Sequence, residues 1–160
     1  MEDRSEDAEG RRLLLDARSQ QRSEALALYE RAADARYGKT FRAAALAEWA
    51  AFHFRGGEHG DAILVYRRLL DDIPRHFVEP DIVLLARYQV AAGLDAGGQA
   101  AQAQAAYLEF LADLLGEQPS LEITAGSGFF VSRTLARLRE MESAGNLSGE
   151  GRSILAEMAR

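Results

Sequence analysis

Apolar residues recur every three or four positions along most of the chain, with glycine and proline between the apolar segments and no long alternating runs of β-branched residues. This spacing places apolar side chains on one face of a helix, whereas a half-buried strand would alternate apolar and polar residues. The pattern predicts an all-α fold of eight helices in four pairs. Their approximate ranges are 8–19, 23–36, 40–55, 61–72, 80–95, 99–115, 127–144 and 148–158.

Residues that start or stop helices lie between these segments. Serine and threonine side chains accept hydrogen bonds from free N–H groups, so we predict N-caps at Ser23, Thr40 and Ser127 and a helix start at Ser148. Pro80 suits the first position of the fifth helix, because its φ is already helical and it has no N–H group. The remaining breaks are predicted at Gly38, Gly56, Gly57, Pro74, Gly97, Gly98, Gly116, Pro119 and Gly145.

One pattern recurs in three of the predicted helices: an alanine, a tyrosine four residues later and an apolar residue three residues after that. These positions share one face of a helix, where alanine permits a close helix contact and tyrosine fills the adjacent space. Successive copies start 37 and then 41 residues apart, which indicates repeated helical hairpins. The copies are Ala25, Tyr29 and Ala32; Ala62, Tyr66 and Leu69; and Ala103, Tyr107 and Phe110.

Residues 43–76 contain the second copy within a longer set of landmarks. These are large and small apolar residues in the first helix, a glycine turn, the recurring pattern and a proline: Leu46, Trp49, Ala50, Gly57, Ala62, Tyr66, Leu69 and Pro74. At these spacings the segment resembles a tetratricopeptide repeat. A weaker resemblance covers residues 84–117, where Arg87 stands at a position for a large apolar residue and Leu115 replaces the proline.

The resemblance implies a TPR-like αα-hairpin solenoid of about four helix pairs, coiled as a right-handed superhelix. We therefore expect a single domain over residues 9–160, with its best repeat at 43–76 and a weaker repeat at 84–117. The C-terminal helix pair, 127–160, is either a true repeat or a cap. Sel1-like repeats and other αα-solenoids are alternatives, because the repeat spacing exceeds the usual 34 residues.

The resemblance also implies a binding surface, because tetratricopeptide proteins receive a peptide or a partner helix in a concave groove lined by the first helix of each pair. By position, the groove residues best suited to anchor a partner are Glu48, Phe54, Arg55, Leu85, Tyr88 and Gln89, on a strip of small residues that includes Ala44 and Ala92. Trp49 is expected on the buried side of the same helix as Phe54. The family's carboxylate-clamp positions hold Ala47, Ala51, Leu85 and Gln89, which disfavours binding of a chaperone tail.

The charge of the chain is unevenly distributed. Its net charge is −6, and the first ten residues hold five acidic residues against one basic residue. So acidic a segment has little apolar surface to bury, and we predict a disordered tail over residues 1–8. An acidic surface repels phosphate groups, so we expect no nucleic-acid partner.

Composition and motifs also limit the expected chemistry. The chain has no cysteine, no secretory signal pattern and no apolar stretch of about 20 residues, so we expect a cytoplasmic protein without a membrane segment. Lys39 lacks the strand and the first glycine of a phosphate-binding loop. His53, His59 and His76 do not form a helical i, i+4 pair. We therefore predict no enzyme activity, no cofactor and no metal site.

Phe129 and Phe130 are adjacent, so they cannot both face one narrow helical stripe; either one is exposed at a docking patch or both lie on a wide buried face. The leading hypothesis for the whole chain is an interaction module, an adaptor or scaffold that binds a protein or peptide partner. One alternative is a self-associating structural protein built from helical repeats. A small-molecule sensor or an enzyme with its pocket between helices is a further alternative.

Overall fold

Helices make up the regular structure of the computed structural model, which describes the backbone of residues 4–117 and 125–160 and the side chains of residues 7–114 and 128–160. Eight α-helices lie in these ranges, which contain no strand, so the predicted all-α fold is confirmed. The helices are α1 (Arg4–Ser19), α2 (Arg22–Ala32), α3 (Lys39–Arg55), α4 (His59–Asp72), α5 (Pro80–Ala96), α6 (Ala100–Glu117), α7 (Ala125–Ser143) and α8 (Gly149–Met158), with a 3₁₀ turn at Arg75–Phe77. Within the described ranges, none of these helices combines the length and apolarity needed to cross a membrane.

The chain divides into two compact units, Met1–Ala86 and Arg87–Arg160, with the boundary inside α5. The first unit contains α1 to α4 and the start of α5, and the second contains the rest of α5 with α6 to α8. The sequence predicted one domain over residues 9–160. Apolar periodicity indicates where the helices lie but does not show how the contacts between them group. The arrangement of the helix pairs as a solenoid stays a prediction.

The first helix begins earlier than the sequence predicted. Residues 4–8 belong to α1, whereas the prediction placed them in a disordered tail. Asp7 lies near the start of this helix, where the free N–H groups and the helix dipole favour negative charge. The Asp7 carboxylate also accepts a hydrogen bond from the Gly38 N–H at 3.3 Å. Asp7 therefore links the start of α1 to the rest of its unit.

The core of the first unit forms where α1 packs against α2 and α3. Tyr29 is almost fully buried, and its ring centroid lies 5.3 Å from that of Phe52 on α3. Aromatic pairs at this distance add to the free energy gained from burial alone. The buried residues of this cluster are Leu13, Leu14, Ala17, Ala25, Tyr29, Ala32, Tyr37 and Ala45.

Trp49 packs against this core from one side only. The sequence placed it on the buried side of α3, but the structure leaves the indole partly exposed. The Arg68 guanidinium covers it, with the Cζ atom 5.5 Å from the ring centroid. Arginine over an indole face is a favourable electrostatic arrangement. Because Trp49 is the chain's one tryptophan, its fluorescence reports on the first unit.

All nine residues of the recurring alanine-tyrosine-apolar pattern are buried, as the sequence predicted. Ala25, Ala62 and Ala103 are each 0% exposed, and the tyrosines that follow them are at most 4% exposed. A helix can approach closely only where the side chain is this small, so each alanine marks a position without room for a larger residue.

Three helix pairs close through the same backbone turn. Gly57, Gly98 and Gly145 each have φ of +76°, a left-handed conformation that glycine adopts without a steric penalty. The residue after each glycine donates its N–H to a carbonyl oxygen of the preceding helix: Glu58 to His53 at 3.0 Å, Gln99 to Leu94 at 2.9 Å and Asn146 to Met141 at 2.9 Å. This is the Schellman motif, which satisfies carbonyl groups at a helix end. It joins α3 to α4, α5 to α6 and α7 to α8.

The helix starts agree only in part with the predicted caps. Ser148 caps α8, with its Oγ accepting a hydrogen bond at 3.1 Å from the N–H three residues later. The predictions at Ser23 and Thr40 are wrong, because both residues lie inside the first turns of α2 and α3. Gln21 and Gly38 precede these helices with extended backbones and no side-chain capping bond. A hydroxyl near a helix start is therefore not enough to locate the cap.

In the second unit, α6 packs against α7 and α8. Gln104 of α6 joins the turn between them: its Nε2 donates to the Asn146 carbonyl oxygen at 2.8 Å, and its Oε1 accepts from the Ser148 N–H at 3.0 Å. One amide side chain thus satisfies a backbone donor and a backbone acceptor outside the helices. This pair of bonds holds the start of α8 to α6.

Replacing Ala62 with leucine should lower the free energy of unfolding of the first unit by about 1–3 kcal/mol, because the added side chain overpacks a fully buried helix contact. Urea unfolding followed by Trp49 fluorescence measures the change. The matched control is Ala27→Leu, at an exposed position on α2, for which we expect a change within about 0.5 kcal/mol. Equal midpoints for the two variants would show that Ala62 does not lie at a close contact.

Burial raises the pKa of the Tyr66 phenol to about 12. The folded state therefore holds this proton more tightly than the unfolded state, whose tyrosines titrate near pH 10. This contribution to stability is complete below pH 10 and is lost as the pH rises from about 10 to 12. In Tyr66→Phe, the unfolding free energy measured by Trp49 fluorescence should fall less steeply between pH 9 and 11, by about 1 kcal/mol. Parallel pH profiles for the parent and the variant would contradict the assignment.

Candidate functional site

The six residues predicted to line a groove are divided between the two units. Three lie on α3 and three on α5, and only Arg55 is fully exposed. The first unit holds Glu48, Phe54, Arg55 and Leu85, and the second holds Tyr88 and Gln89.

In the first unit, Glu48 is already engaged by another helix. Its Oε1 accepts from the Nε of Arg18 at 2.7 Å and lies 2.6 Å from the Nη2 of the same side chain. Phe54 is partly buried and meets the His59 ring edge-on at a centroid distance of 4.7 Å. Arg55 is exposed and has no ion-pair partner among the described residues. Of these three, only Arg55 has its charge free for a partner.

Tyr88 is the centre of an aromatic cluster in the second unit. Its ring centroid lies 4.7 Å from that of Phe130 on α7, and 6.3 and 6.1 Å from those of Tyr107 and Phe110 on α6. Contacts at these distances stabilise packed aromatic rings. Tyr88 therefore joins three helices of its unit, and its ring supports the fold as well as lining a surface.

Phe129 extends this cluster to the surface. It contacts Phe130 edge-on at a centroid distance of 5.6 Å, but 55% of Phe129 is exposed. Of the two alternatives that the sequence left open for the adjacent phenylalanines, the structure therefore agrees with the one in which one ring is exposed. The predicted cap at Ser127 lies outside the described side chains, although α7 itself begins at Ala125. An aromatic ring this exposed gains free energy when a partner covers it.

A cleft of about 500 Å³ opens beside the cluster, within the second unit. Alanines at three positions along its walls leave space that larger side chains would occupy: Ala92 and Ala96 on α5 and Ala136 on α7. The other residues that line it are Tyr88, Asp95, Tyr107, Arg133, Arg137 and Glu140. This volume falls in the range of pockets that bind small molecules or side chains of a partner.

Arg137 is fixed across the cleft by two carboxylates. Its Nε and Nη2 donate to the two oxygens of Asp95 at 2.7 and 3.0 Å, and its Nη1 donates to Glu140 at 2.8 Å. Hydrogen bonds to Asp95 and Glu140 hold the pKa of Arg137 well above its usual range. The paired guanidinium and the two carboxylates satisfy one another, so this group is a strut between α5 and α7.

Tyr107 completes the strut. Its hydroxyl donates to Asp95 Oδ2 at 3.4 Å. Burial, followed by the charge of Asp95, raises the pKa of this phenol well above its usual range. The phenol is therefore protonated at physiological pH, and it acts as a hydrogen-bond donor rather than as a base.

Arg133 differs from Arg137 because none of the described carboxylates forms an ion pair with it. It is exposed, and its Cζ lies 5.3 Å from the centroid of the Phe129 ring, one helical turn earlier. The formal charges lining the cleft cancel, but both carboxylates bind Arg137. Among the residues that the structure describes, the end of the cleft at Phe129 therefore presents a cation without an ion-pair partner on an aromatic face.

Two further α5 side chains were singled out by the sequence. Arg87, which departs from the expected apolar residue, forms an ion pair with Asp113 on α6. Gln89, predicted for the groove, is partly buried, and its Oε1 is inaccessible and accepts no hydrogen bond from the residues described.

Lys39 and His53, for which the sequence predicted no phosphate or metal site, both contact neighbouring side chains. Lys39 starts α3, with its Nζ 5.1 Å from the centroid of the Phe77 ring. His53 is 7% exposed, and its Nδ1 lies 2.6 Å from Glu58 Oε2. The hydrogen bond from His53 and, after it, that from Arg22 hold the pKa of the Glu58 carboxyl below its usual range. The histidine thus belongs to the turn between α3 and α4.

Arg133 and Arg137 were not predicted from the sequence, although a signal was present. Phe129, Arg133 and Arg137 follow one another at four-residue intervals, so they share a face of α7. The interval identifies neighbours on the helix. It does not show that Asp95, 42 residues before Arg137, forms an ion pair with Arg137 and not with Arg133.

Comparison with protein-family models, curated proteins and solved structures yields no match for this chain. The likeness to tetratricopeptide repeats therefore rests on the residue pattern alone.

A double-mutant cycle between Asp95→Asn and Arg137→Gln should give a coupling energy of about 1 kcal/mol, because the pair is bidentate but partly exposed. Urea unfolding followed by far-ultraviolet circular dichroism measures it. Arg139→Gln is the matched control, since Arg139 is exposed on the same helix. Coupling between Asp95 and Arg139 as large as that between Asp95 and Arg137 would contradict a specific strut.

Proposed function

We propose that this chain is a protein-interaction module that binds a peptide or a helix of a partner protein, without catalysis, at the cleft of the second unit. The observation that carries the proposal is the pairing of exposed Phe129 with Arg133, which has no ion-pair partner among the described residues, beside a cleft of about 500 Å³. Aromatic and arginine side chains carry a disproportionate share of the binding energy at protein interfaces.

The proposal includes a TPR-like arrangement of the helix pairs. Two features support it: the buried alanine-tyrosine-apolar pattern in three helices, and the Schellman turn that closes three helix pairs. In such an arrangement α5 and α7 would be the first helices of adjacent pairs. Tyr88 and Ala92 of α5, which the resemblance assigned to the groove, line the same cleft as Arg133 of α7.

The chemistry of the cleft indicates the type of segment that binds. Phe129 offers apolar surface, and the adjacent guanidinium favours a carboxylate that can accept two hydrogen bonds from it. The Arg137 strut and the protonated Tyr107 keep the cleft walls in place without supplying a base or a nucleophile. We therefore propose a partner segment in which an apolar residue lies close to an aspartate or glutamate.

A library of displayed linear peptides, selected on the purified chain, tests this directly. Selected peptides should combine an apolar residue with an acidic residue, and their affinities can be measured by fluorescence anisotropy. Phe129→Ala and Arg133→Ala should each weaken binding at least about tenfold, since truncating an anchor costs about 2 kcal/mol and 1.4 kcal/mol is a factor of ten. A peptide with glutamine in place of its acid should lose affinity for the parent but not for Arg133→Ala.

Matched controls distinguish binding at this cleft from non-specific binding to exposed apolar or basic side chains. Leu64→Ala removes an equally exposed apolar side chain from the first unit, where Leu64 is 62% exposed. Arg139→Ala removes an exposed arginine of α7. Both should leave peptide affinity unchanged. Peptides that bind the parent, Phe129→Ala and Arg133→Ala equally would place the interaction elsewhere, with Phe54 and Arg55 of the first unit as the next residues to substitute.

Light scattering of the unliganded chain distinguishes the interaction module from the alternative, a self-associating structural protein. A mass that rises with concentration, and that Leu15→Ser or Leu64→Ser reduces, would favour self-association. Both leucines expose at least 60% of their surface in the first unit. A concentration-independent mass is expected for the interaction module.

A further inference from the structure

Potential metal ligands converge at the turn between α3 and α4, in the first unit. His53 lies in the last turn of α3, Glu58 is the N-cap of α4, and Asp61 lies in the first turn of α4. One ligand atom from each residue, the imidazole nitrogen and two carboxylate oxygens, lies within 4.8 Å of the others. The shortest of these separations is the 2.6 Å between His53 Nδ1 and Glu58 Oε2.

The backbone holds these groups in place before any ion binds. Gly57 has φ of +76°, and the Glu58 N–H donates to the His53 carbonyl oxygen at 3.0 Å, which closes the turn. The His53 side chain is more than nine-tenths buried, and its ring centroid lies 6.1 Å from that of Trp49. Asp61 is exposed, so its carboxylate is free to turn towards the other two groups. The backbone turn therefore positions His53 and Glu58 near each other, and the Asp61 side chain is adjustable.

We propose that this turn binds one divalent transition-metal ion of the Zn²⁺ type, through His53 Nδ1 and one oxygen each from Glu58 and Asp61, with water in the remaining position. Imidazole nitrogen and carboxylate oxygen are established Zn²⁺ ligands, at about 2.0–2.2 Å from the ion. Ligand atoms around a tetrahedral ion lie about 3.3 Å apart at these bond lengths. For the ion to bind, His53 Nδ1 and Glu58 Oε2, now 2.6 Å apart, separate by about 0.7 Å, and the exposed Asp61 side chain moves inward by about 1 Å or more. The two carboxylates balance the charge of the ion.

Arg22 of α2 competes with the ion for Glu58. Its guanidinium forms an ion pair with Glu58 Oε2, while its Cζ lies 4.9 Å from the centroid of the Phe52 ring. The side chain is 43% exposed, so it can leave the carboxylate and stay on the aromatic face. Removing this positive charge should therefore strengthen metal binding. If the turn is only hydrogen-bonded and binds no metal, removal of the Arg22 charge should not produce metal binding.

Isothermal titration of the chelator-treated chain with ZnCl₂ tests the proposal. We expect one equivalent of Zn²⁺ per chain, an affinity at least about tenfold lower for Asp61→Asn, and an affinity several-fold higher for Arg22→Gln. Saturating Zn²⁺ should also raise the unfolding temperature reported by Trp49 fluorescence, because the ion binds the folded state. Asp61→Asn should reduce that increase at the same Zn²⁺ concentration.

Two control variants make the outcome specific. Arg18→Gln removes an arginine that pairs with Glu48 instead, and His76→Gln removes an exposed histidine outside the turn; neither should change Zn²⁺ affinity. His53→Gln should abolish binding, and Asp61→Asn gives the same information if the buried substitution prevents folding. Absence of Zn²⁺ binding at micromolar concentration by both the parent and Arg22→Gln would overturn the proposal. Binding that persists in Asp61→Asn and disappears in His76→Gln would also overturn it.

Discussion

The constraint on which the helix pairs depend is the need to satisfy the carbonyl groups at the end of one helix while the chain reverses towards the next. A glycine in the left-handed conformation meets this need at Gly57, Gly98 and Gly145. In all three turns the following N–H returns to the preceding helix. Because the reversal takes only a few residues, side chains just before and just after each turn are brought together.

That proximity has different consequences at different turns. Between α3 and α4 it joins a buried histidine to the carboxylate that begins the next helix, and Asp61 lies one turn further on. Between α7 and α8 it presents backbone groups to Gln104 of α6, which binds both the Asn146 carbonyl oxygen and the Ser148 N–H. The same backbone geometry thus supports a candidate ion site in one unit and a packing contact in the other.

Side-chain size determines where the helices touch and where they leave space. Alanines one helical turn before a tyrosine permit close contacts in the cores, whereas Ala92, Ala96 and Ala136 lie where no large side chain fills the gap. Asp95 then decides the electrostatics of the resulting cleft. It binds Arg137 through both oxygens and accepts a hydrogen bond from Tyr107, while Arg133 lies beside Phe129 without an ion-pair partner among the described residues. A single carboxylate therefore distinguishes the environments of these two arginines.

The sequence by itself determined the all-α class, the helix pairs and the burial of the recurring pattern, because apolar spacing and glycine turns act over a few neighbouring residues. It singled out Phe129 and Phe130 but left open whether one of them is exposed or both are buried. Only the tertiary structure decided that Glu48 is bound by Arg18, that Trp49 is partly exposed and that α1 begins at Arg4. The fold also decides that Arg137, and not Arg133, pairs with Asp95. It likewise decides that His53 lies near the carboxylates of Glu58 and Asp61. Local periodicity carries no information about such pairings, since their partners belong to other elements of the chain.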